Sequence, residues 1–369
     1  MIKPRILVTS AAGHTGSAAA KELLAKGYPV RAFVRRADSR SEALKAQGAE
    51  VFVGNLYDYN DLRRSMQGVQ RAYHCPPFGP NLLHGNLLFA IAAEEAKLEM
   101  VALMESWNAD PAHRSDFIRE HWVSQQVYEW MPSVGLVHIA PGLFAFAYFL
   151  DVPTIRHLGL LLAPLGDGQN APPSNEDIAA CAASVVSDPD EHIGKFYRPT
   201  GSELLTPHDV AEVCGRVLGR RVRYRDVSTK MFTKAATALG LSPFEIAHIR
   251  HFVEEHRGGA FGIGAPTDHV ERLTGRPPEP FADTARRYLD NPALVHRRFK
   301  VGGSLGALGT LLKTMLTRTP NLDAFERRLL APMVREPRLA HESQAWLEGV
   351  ERFRHSAEGD EAAQVLKAI

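Results

Sequence analysis

Between Ile6 and Trp130 the chain alternates short apolar, β-branched runs with longer stretches whose apolar positions recur at helical spacing. Runs at 6–9, 29–34, 50–56, 70–78 and 100–106 read as strands, because each is brief, nearly continuous in apolar residues and bounded by Gly, Pro, Asn or Ser. Stretches at 15–26, 41–47, 59–66, 82–96 and 116–130 read as helices. Strands without polar alternation are buried on both faces, and helices between them supply the crossovers that parallel pairing requires. The pattern predicts an α/β protein with a doubly wound parallel sheet, whose ligands sit at the carboxyl ends of its strands.

The first of those ends carries the most chemistry. After Ile6, Leu7, Val8 and Thr9 comes Ser10-Ala-Ala-Gly13-His14-Thr15-Gly16, and the helix that follows ends before Gly27. A tight, small-residue turn into a helix N-terminus presents unpaired N–H groups and the positive dipole end, which suits a pyrophosphate. Gly13 allows close approach to phosphate, Gly16 allows the helix to pack on the strand, and Gly27 is placed as the left-handed residue after the helix. Ser10 occupies the place of the first glycine of G-x-x-G-x-x-G, so a residue with a Cβ must make the turn. At the end of the second strand stand Arg35 and Arg36, with Ser39 and Arg40 close behind. No carboxylate stands at the strand end to accept a ribose 2′-OH, and two guanidiniums suit a 2′-phosphate, so NADP(H) is the expected cofactor. Asn55 and Leu56 follow the third strand, where the loop would cover an adenine, and Pro76-Pro77 follow the fourth on the nicotinamide side.

With those residues, the stretches 164–169, 175–183, 194–203, 218–224 and 267–278 resemble the NmrA-like branch of the atypical short-chain dehydrogenases/reductases over roughly the first 290 residues. The resemblance implies an NADP-binding Rossmann domain at 1–150, a smaller substrate subdomain with strands returning to the sheet at 151–290, and a helical extension at 291–369 that it does not cover. It also implies two functions in competition. Some members reduce quinones and aromatic or carbonyl compounds with NADPH. Others lack chemistry and sense the NADP(H) redox state for a partner protein.

Short-chain enzymes of the common type use Tyr-x-x-x-Lys, in which the ammonium lowers the phenol pKa. That pair is absent after the fifth strand: Tyr128 is followed by Pro132, and the position where isoflavone-reductase-like members carry Lys falls near Ser124. The candidates that remain are Ser106 at the strand end, a donor to a substrate carbonyl, and His121 and Tyr128, two turns apart on one helix face. Phe78, Trp107, Phe144 and Phe146 are expected to line the pocket, and with Tyr148 and Phe149 they suit a flat, hydrophobic substrate.

Composition narrows the rest. The 369 residues, 45% hydrophobic, can bury one large core and a smaller one, and a net charge of +1 gives no overall footprint for nucleic acid. Three cysteines without metal or redox spacing, no signal peptide and no membrane-spanning run point to the cytoplasm. Beyond Asn291, helices are expected at 307–316, 323–334 and 340–356, with an acidic tail from Ala357. Arg297, Arg298, Lys300, Lys313 and Arg318 surround an apolar, glycine-rich run, for which a cap over the cleft, a homodimer contact and a membrane-touching surface are the three readings.

Overall fold

A computed structural model describes residues 3–295, 303–329 and 332–355. Arg297, Arg298, Lys300 and the acidic tail from Ala357 lie outside the described residues. The chain runs β1 (Ile6–Val8), α1 (His14–Ala25), β2 (Val30–Val34), α2 (Ser39–Ala46), β3 (Glu50–Val53), α3 (Tyr59–Ser65), β4 (Arg71–His74), α4 (Leu82–Ala96), β5 (Met100–Met104), α5 (Asp116–Glu129) and β6 (Gly135–Ile139). There follow β7 (Leu160–Ala163), α6 (Asn175–Ser187), β8 (Phe196–Tyr197), α7 (Pro207–Leu218), β9 (Arg223–Asp226), α8 (Thr229–Ala238), α9 (Pro243–Arg257), α10 (His269–Thr274), α11 (Phe281–Leu289) and α12 (Pro292–Val295). The last elements are α13 (Ser304–Leu316), α14 (Leu322–Arg328) and α15 (Gln344–His355).

All neighbours in the main sheet are parallel, in the order β3-β2-β1-β4-β5-β6-β8. Crossing from β3 to β1 and then from β4 outward reverses the winding at β1/β4, which opens a crevice at the carboxyl ends of those strands. Side-chain alternation splits the core in two. Ile6 and Val8 point to the face covered by Ala19 and Leu23 of α1, Leu44 of α2 and Ile178 and Ala182 of α6. Leu7 points to the other, with Leu62 of α3, Phe89 and Ala93 of α4 and Tyr128 of α5.

Side-chain hydrogen bonds end the strands earlier than the apolar pattern does. Asn55 N donates to Asp61 Oδ2 beyond β3, and Cys75 N donates to Thr9 Oγ1 beyond β4, so neither backbone continues its ladder. A second apolar cluster gathers Tyr148, Phe149, Leu161, Val210, Cys214, Tyr224 and Phe281 around the separate two-stranded parallel sheet of β7 and β9.

Two C-terminal helices differ from the pattern-based expectation. The 323–334 helix stops at Arg328, because Pro332 lacks an N–H and its ring would meet the carbonyl four residues back. The 340–356 helix opens as a 3₁₀ turn at Ala340–Glu342 and turns helical only after Ser343, whose backbone is extended. Among the described residues no helix is long and apolar enough to cross a membrane.

Candidate functional site

The turn after β1 is built as the sequence requires. Ser10 takes the left-handed conformation, φ +48°, and its carbonyl accepts from Gly13 N at 2.7 Å. A Cβ on Gly16 would lie 2.5 Å from the Ser10 carbonyl oxygen and 2.9 Å from that of Thr9, so only glycine lets α1 approach the strand this closely. The N-cap Gly13 offers no side-chain cap, and the first turn of α1 holds no acidic residue. That helix end therefore suits an anion. Thr15 is buried and donates from Oγ1 to Asn175 Oδ1 at 3.1 Å, tying the loop to α6. His14 is exposed and stacks on Phe146 at 5.7 Å.

Arg35 and Arg36 stand exposed at the end of β2. The nearby carboxylate of Asp38 is fully engaged: it caps α2 by accepting from Arg40 N, and it accepts from the Arg40 guanidinium through both Nε and Nη2. The Arg40 side chain holds the Asp38 carboxyl well below the usual carboxylate range. Asp38 is thus not free to hold a ribose hydroxyl. Arg40 also donates from Nη1 to Ala12 O at 3.1 Å, which sets a third guanidinium over the turn. At the next strand ends, Asn55 is exposed and closes its own turn by accepting from Tyr57 N, Leu56 packs on the α3–α4 face, and Pro76-Pro77 lead away from β4.

A chain of buried hydrogen bonds runs behind the crevice. Cys75 N donates to Thr9 Oγ1, which lies 3.0 Å from His74 Nδ1, and His74 Nε2 lies 3.0 Å from Asn86 Oδ1. Asn86 Nδ2 donates to Ser124 Oγ, which donates to the Glu120 carbonyl. The last two bonds fix the direction of the rest, so His74 carries its proton on Nε2. Burial lowers its pKa to about 4, keeping the ring neutral against Phe89 at 3.9 Å. Two strands away on β6, His138 lies between Glu105 at 2.9 Å and Glu129 at 2.7 Å. Burial opposes its charge, but the two carboxylates outweigh burial and raise its pKa to about 10.

The expected catalytic group is dispersed. Ser106 is half-buried at the end of β5 and donates to Asn108 Oδ1 at 2.6 Å. His121 and Tyr128 share a face of α5, as their spacing predicts, but that face packs inward. Burial drives the His121 pKa down to about 3, with its ring edge-on to Phe117 at 4.9 Å. Tyr128 is 1% exposed and packs in the α3–α5 core, and burial lifts its phenol well above 10. Among the described residues no hydrogen bond links Ser106 to either. Ser106 alone is left at the crevice.

The expected pocket aromatics also separate. Phe78, 40% exposed, contacts Phe117 of α5 at 4.6 Å and Phe244 and Phe252 of α9. Phe144 and Phe146 pack together beside His14, at the phosphate loop rather than beyond it. Trp107 is buried under the C-terminal segment: Trp346 Nε1 donates to Trp107 O at 3.1 Å, and the rings of Trp346 and Phe353 meet it edge-on. The guanidinium of Arg198, fully buried, lies 3.8 Å from the Trp107 ring and donates from Nη2 to Phe261 O. Phe252 packs against both clusters, so an aromatic wall runs from Phe78 to Trp107. Phe244, His248 and Phe252 recur every fourth residue on α9, a signal present in the sequence.

Glu255, on the same helix, fixes the C-terminal segment. Its carboxylate accepts from His113 Nε2, Ala340 N and His341 Nδ1. Residues 112–114 and 338 also exchange backbone bonds: Arg338 N donates to Ala112 O and Arg114 N to Arg338 O. Cavities of about 970 and 940 Å³ lie elsewhere, beside β7 and β9. A cleft of about 620 Å³ borders Gly13, His14 and Arg40. In a doubly wound sheet the strand ends locate the ligand, and volume does not.

Residues 2–263 match the NmrA-like family over most of the chain. The protein belongs to that family. Over 286 residues it is 27% identical to the NAD(P)H azoreductase of Xenophilus azovorans, spanning 77% of this chain and 97% of the azoreductase. The NADPH-dependent quinone oxidoreductase of Escherichia coli, solved with NADPH, superposes with a TM-score of 0.66 at 23% identity, over 77% of this chain and 100% of that one. The triphenylmethane reductase of Citrobacter sp., solved with NADP(H), gives a TM-score of 0.68 at 19% identity over the same shares. In this NmrA-like chain the segment that covers Trp107 lies beyond residue 263, where the family match ends.

Proposed function

We propose that this protein is an NADPH-dependent reductase of a hydrophobic, aromatic carbonyl or quinone compound. The observation that carries the cofactor reading is the uncapped N-terminus of α1 beside Arg35, Arg36 and Arg40, with the carboxylate just beyond β2, Asp38, bonded to Arg40 and 3.7 Å from Arg36. The loop fits a pyrophosphate and the exposed arginines fit a 2′-phosphate. NADPH, when bound, supplies hydride at the carboxyl ends of β4 and β5. Around that point the chain offers Ser106 Oγ, which would exchange its bond to Asn108 Oδ1 for one to a substrate oxygen, and Phe78, Phe117, Phe244 and Phe252 as an apolar wall that excludes water.

A strong proton donor is not needed for a substrate whose ring spreads the developing charge, which accords with the buried His121 and Tyr128. The names of the azoreductase, quinone oxidoreductase and triphenylmethane reductase relatives support an aromatic acceptor. The segment at 338–355 is read as a cap that closes the pocket over Trp107, in preference to a dimer contact.

The test is NADPH oxidation against a panel of quinones, azo dyes, aromatic ketones and enones, with Arg35→Ala/Arg36→Ala as control. Turnover with at least one acceptor, and a KM for NADPH raised more than that for NADH in the control, is expected. Tight NADPH binding without turnover on any acceptor overturns the reductase in favour of a redox sensor acting on a partner.

A further inference from the structure

Helix α13 packs one side against α8 and against the π-helical turn at Thr154–Leu158, and among the described residues its other side is uncovered. Leu305, Leu308, Leu312, Met315 and Leu316 are between 52% and 78% exposed. Their spacing places them along one stripe of the helix. Solvent-facing helix positions are ordinarily polar, and an exposed apolar stripe of this size marks a contact surface.

The charge along α8 and α13 is of one sign. From Ser228 to Leu241, and again from Ser304 to Leu322, there is no Asp or Glu, while Lys230, Lys234, Lys313 and Arg318 fall within these spans. Lys313 and Lys234 stitch the two helices together by donating to Ala238 O and Met315 O, so their cations sit at the border of the apolar stripe. The start of α13 meets a second basic feature. Ser304 Oγ donates to His157 O, and Arg220 donates to the carbonyls of Arg156 and His157. Arg220 belongs to the groove of about 940 Å³ that Arg216, Arg221, Arg223 and Arg225 also line. The acids near it are engaged, Glu212 with Arg216 and Asp290 with Arg156. Among the described residues Arg221, Arg223 and Arg225 are in no ion pair.

We infer that the stripe of α13, with α8 and the arginine groove beside it, docks on the surface of an anionic lipid bilayer, the leucines entering the acyl boundary and the arginines facing the headgroups. At 13 residues, α13 is too short to span a bilayer, and its exposed apolar stripe bordered by cations suits a helix that lies in the interface. A second copy of this chain would bring like charges together, because the cations of α8, α13 and the groove would face their own copies. A bilayer bearing negative headgroups complements both halves of the surface. This surface is independent of the reductase reading, since it uses none of the residues at the crevice.

The experiment is co-sedimentation of the full chain with vesicles of equal parts phosphatidylglycerol and phosphatidylcholine, beside vesicles of phosphatidylcholine alone. The variants are Leu308→Asp/Leu312→Asp and Arg221→Ser/Arg223→Ser, with circular dichroism melting to show that each is folded. Wild type should pellet with the anionic vesicles and stay in solution with the neutral ones. The leucine pair should lower the partition coefficient tenfold or more, on the order of what removing two buried leucines from an interface costs. The arginine pair should lower it by about fivefold per residue, in a salt-dependent way. Absence of binding to anionic vesicles at low salt, or undiminished binding by the folded leucine variant, overturns the proposal. So does sedimentation velocity showing a wild-type dimer that the leucine variant turns into a monomer.

Discussion

Replacing Glu255 by Gln should release the C-terminal segment from Trp107. The carboxylate is fully buried and receives three donors: His113 Nε2, Ala340 N and His341 Nδ1. His113 must carry its proton on Nε2, because its Nδ1 accepts from Ser115 N at 2.9 Å. Gln offers one oxygen to these donors and turns an NH₂ group toward at least one of them. Burial alone would raise the Glu255 pKa, but the bonds from His113, His341 and Ala340 overcome it and hold the group at about 2 against an ordinary 4.5. A carboxyl lowered that far contributes about 3 kcal/mol of stability at neutral pH. For a depressed carboxyl the contribution is complete above the unfolded value and is lost as pH falls from 4.5 toward 2, roughly halving by pH 3. Urea unfolding followed by tryptophan emission, to which Trp107 and Trp346 contribute along with Trp122 and Trp130, should show Glu255→Gln less stable by about 3 kcal/mol at pH 7 and by about half of that at pH 3. Protease should cut the variant first between α14 and α15. A variant within about 0.5 kcal/mol of wild type at pH 7, or a deficit that does not shrink on acidification, refutes the reasoning.

Three further outcomes are expected. Gly16→Ala sets a Cβ against two backbone carbonyls that cannot retreat, so it should cost about 1–3 kcal/mol and abolish measurable NADPH affinity by calorimetry. Trp346→Ala removes a side chain 2% exposed together with its bond to Trp107, and should lower stability by about 3–5 kcal/mol in urea titration while raising KM for the acceptor more than for NADPH. His74→Phe keeps the stack on Phe89 but strands Asn86 Oδ1, while Thr9 Oγ1 keeps its bonds to Cys75 N and O, costing about 1–3 kcal/mol for the one polar group left unpaired, measured as a lowered Tm.

Five strands of the parallel sheet were legible because each is a local, mostly apolar run, whereas two-residue β8 leaves no such mark, and the phosphate loop was legible because its glycines are dictated by contacts a few residues away. Ser10 shows how far that holds: the missing glycine is met by a left-handed serine, a conformation sequence spacing cannot display. On α5 the spacing put His121, Ser124 and Tyr128 on one face but could not say which way the face turns. Ser124 is spent on the Asn86 network and Tyr128 on the core, so the polar set at helical spacing supports packing. Asp38 stands four residues beyond β2, and nothing in the spacing shows that its carboxylate is taken by Arg40. Trp107 carried no mark of burial, since what buries it is far along the chain.

That distance has a temporal side. The bond between Trp107 and Trp346 joins residues 239 positions apart. A ribosome adding about 5–20 residues per second takes on the order of tens of seconds to make the intervening chain. Once β8 is made, the sheet can fold while Trp107 and, until Phe261 and Ile263 follow, the guanidinium of Arg198 lack their later partners. The nascent protein therefore passes through a state in which an aromatic surface is open to chaperones and to other emerging chains, and that state ends only when Glu255 finds Ala340 and His341.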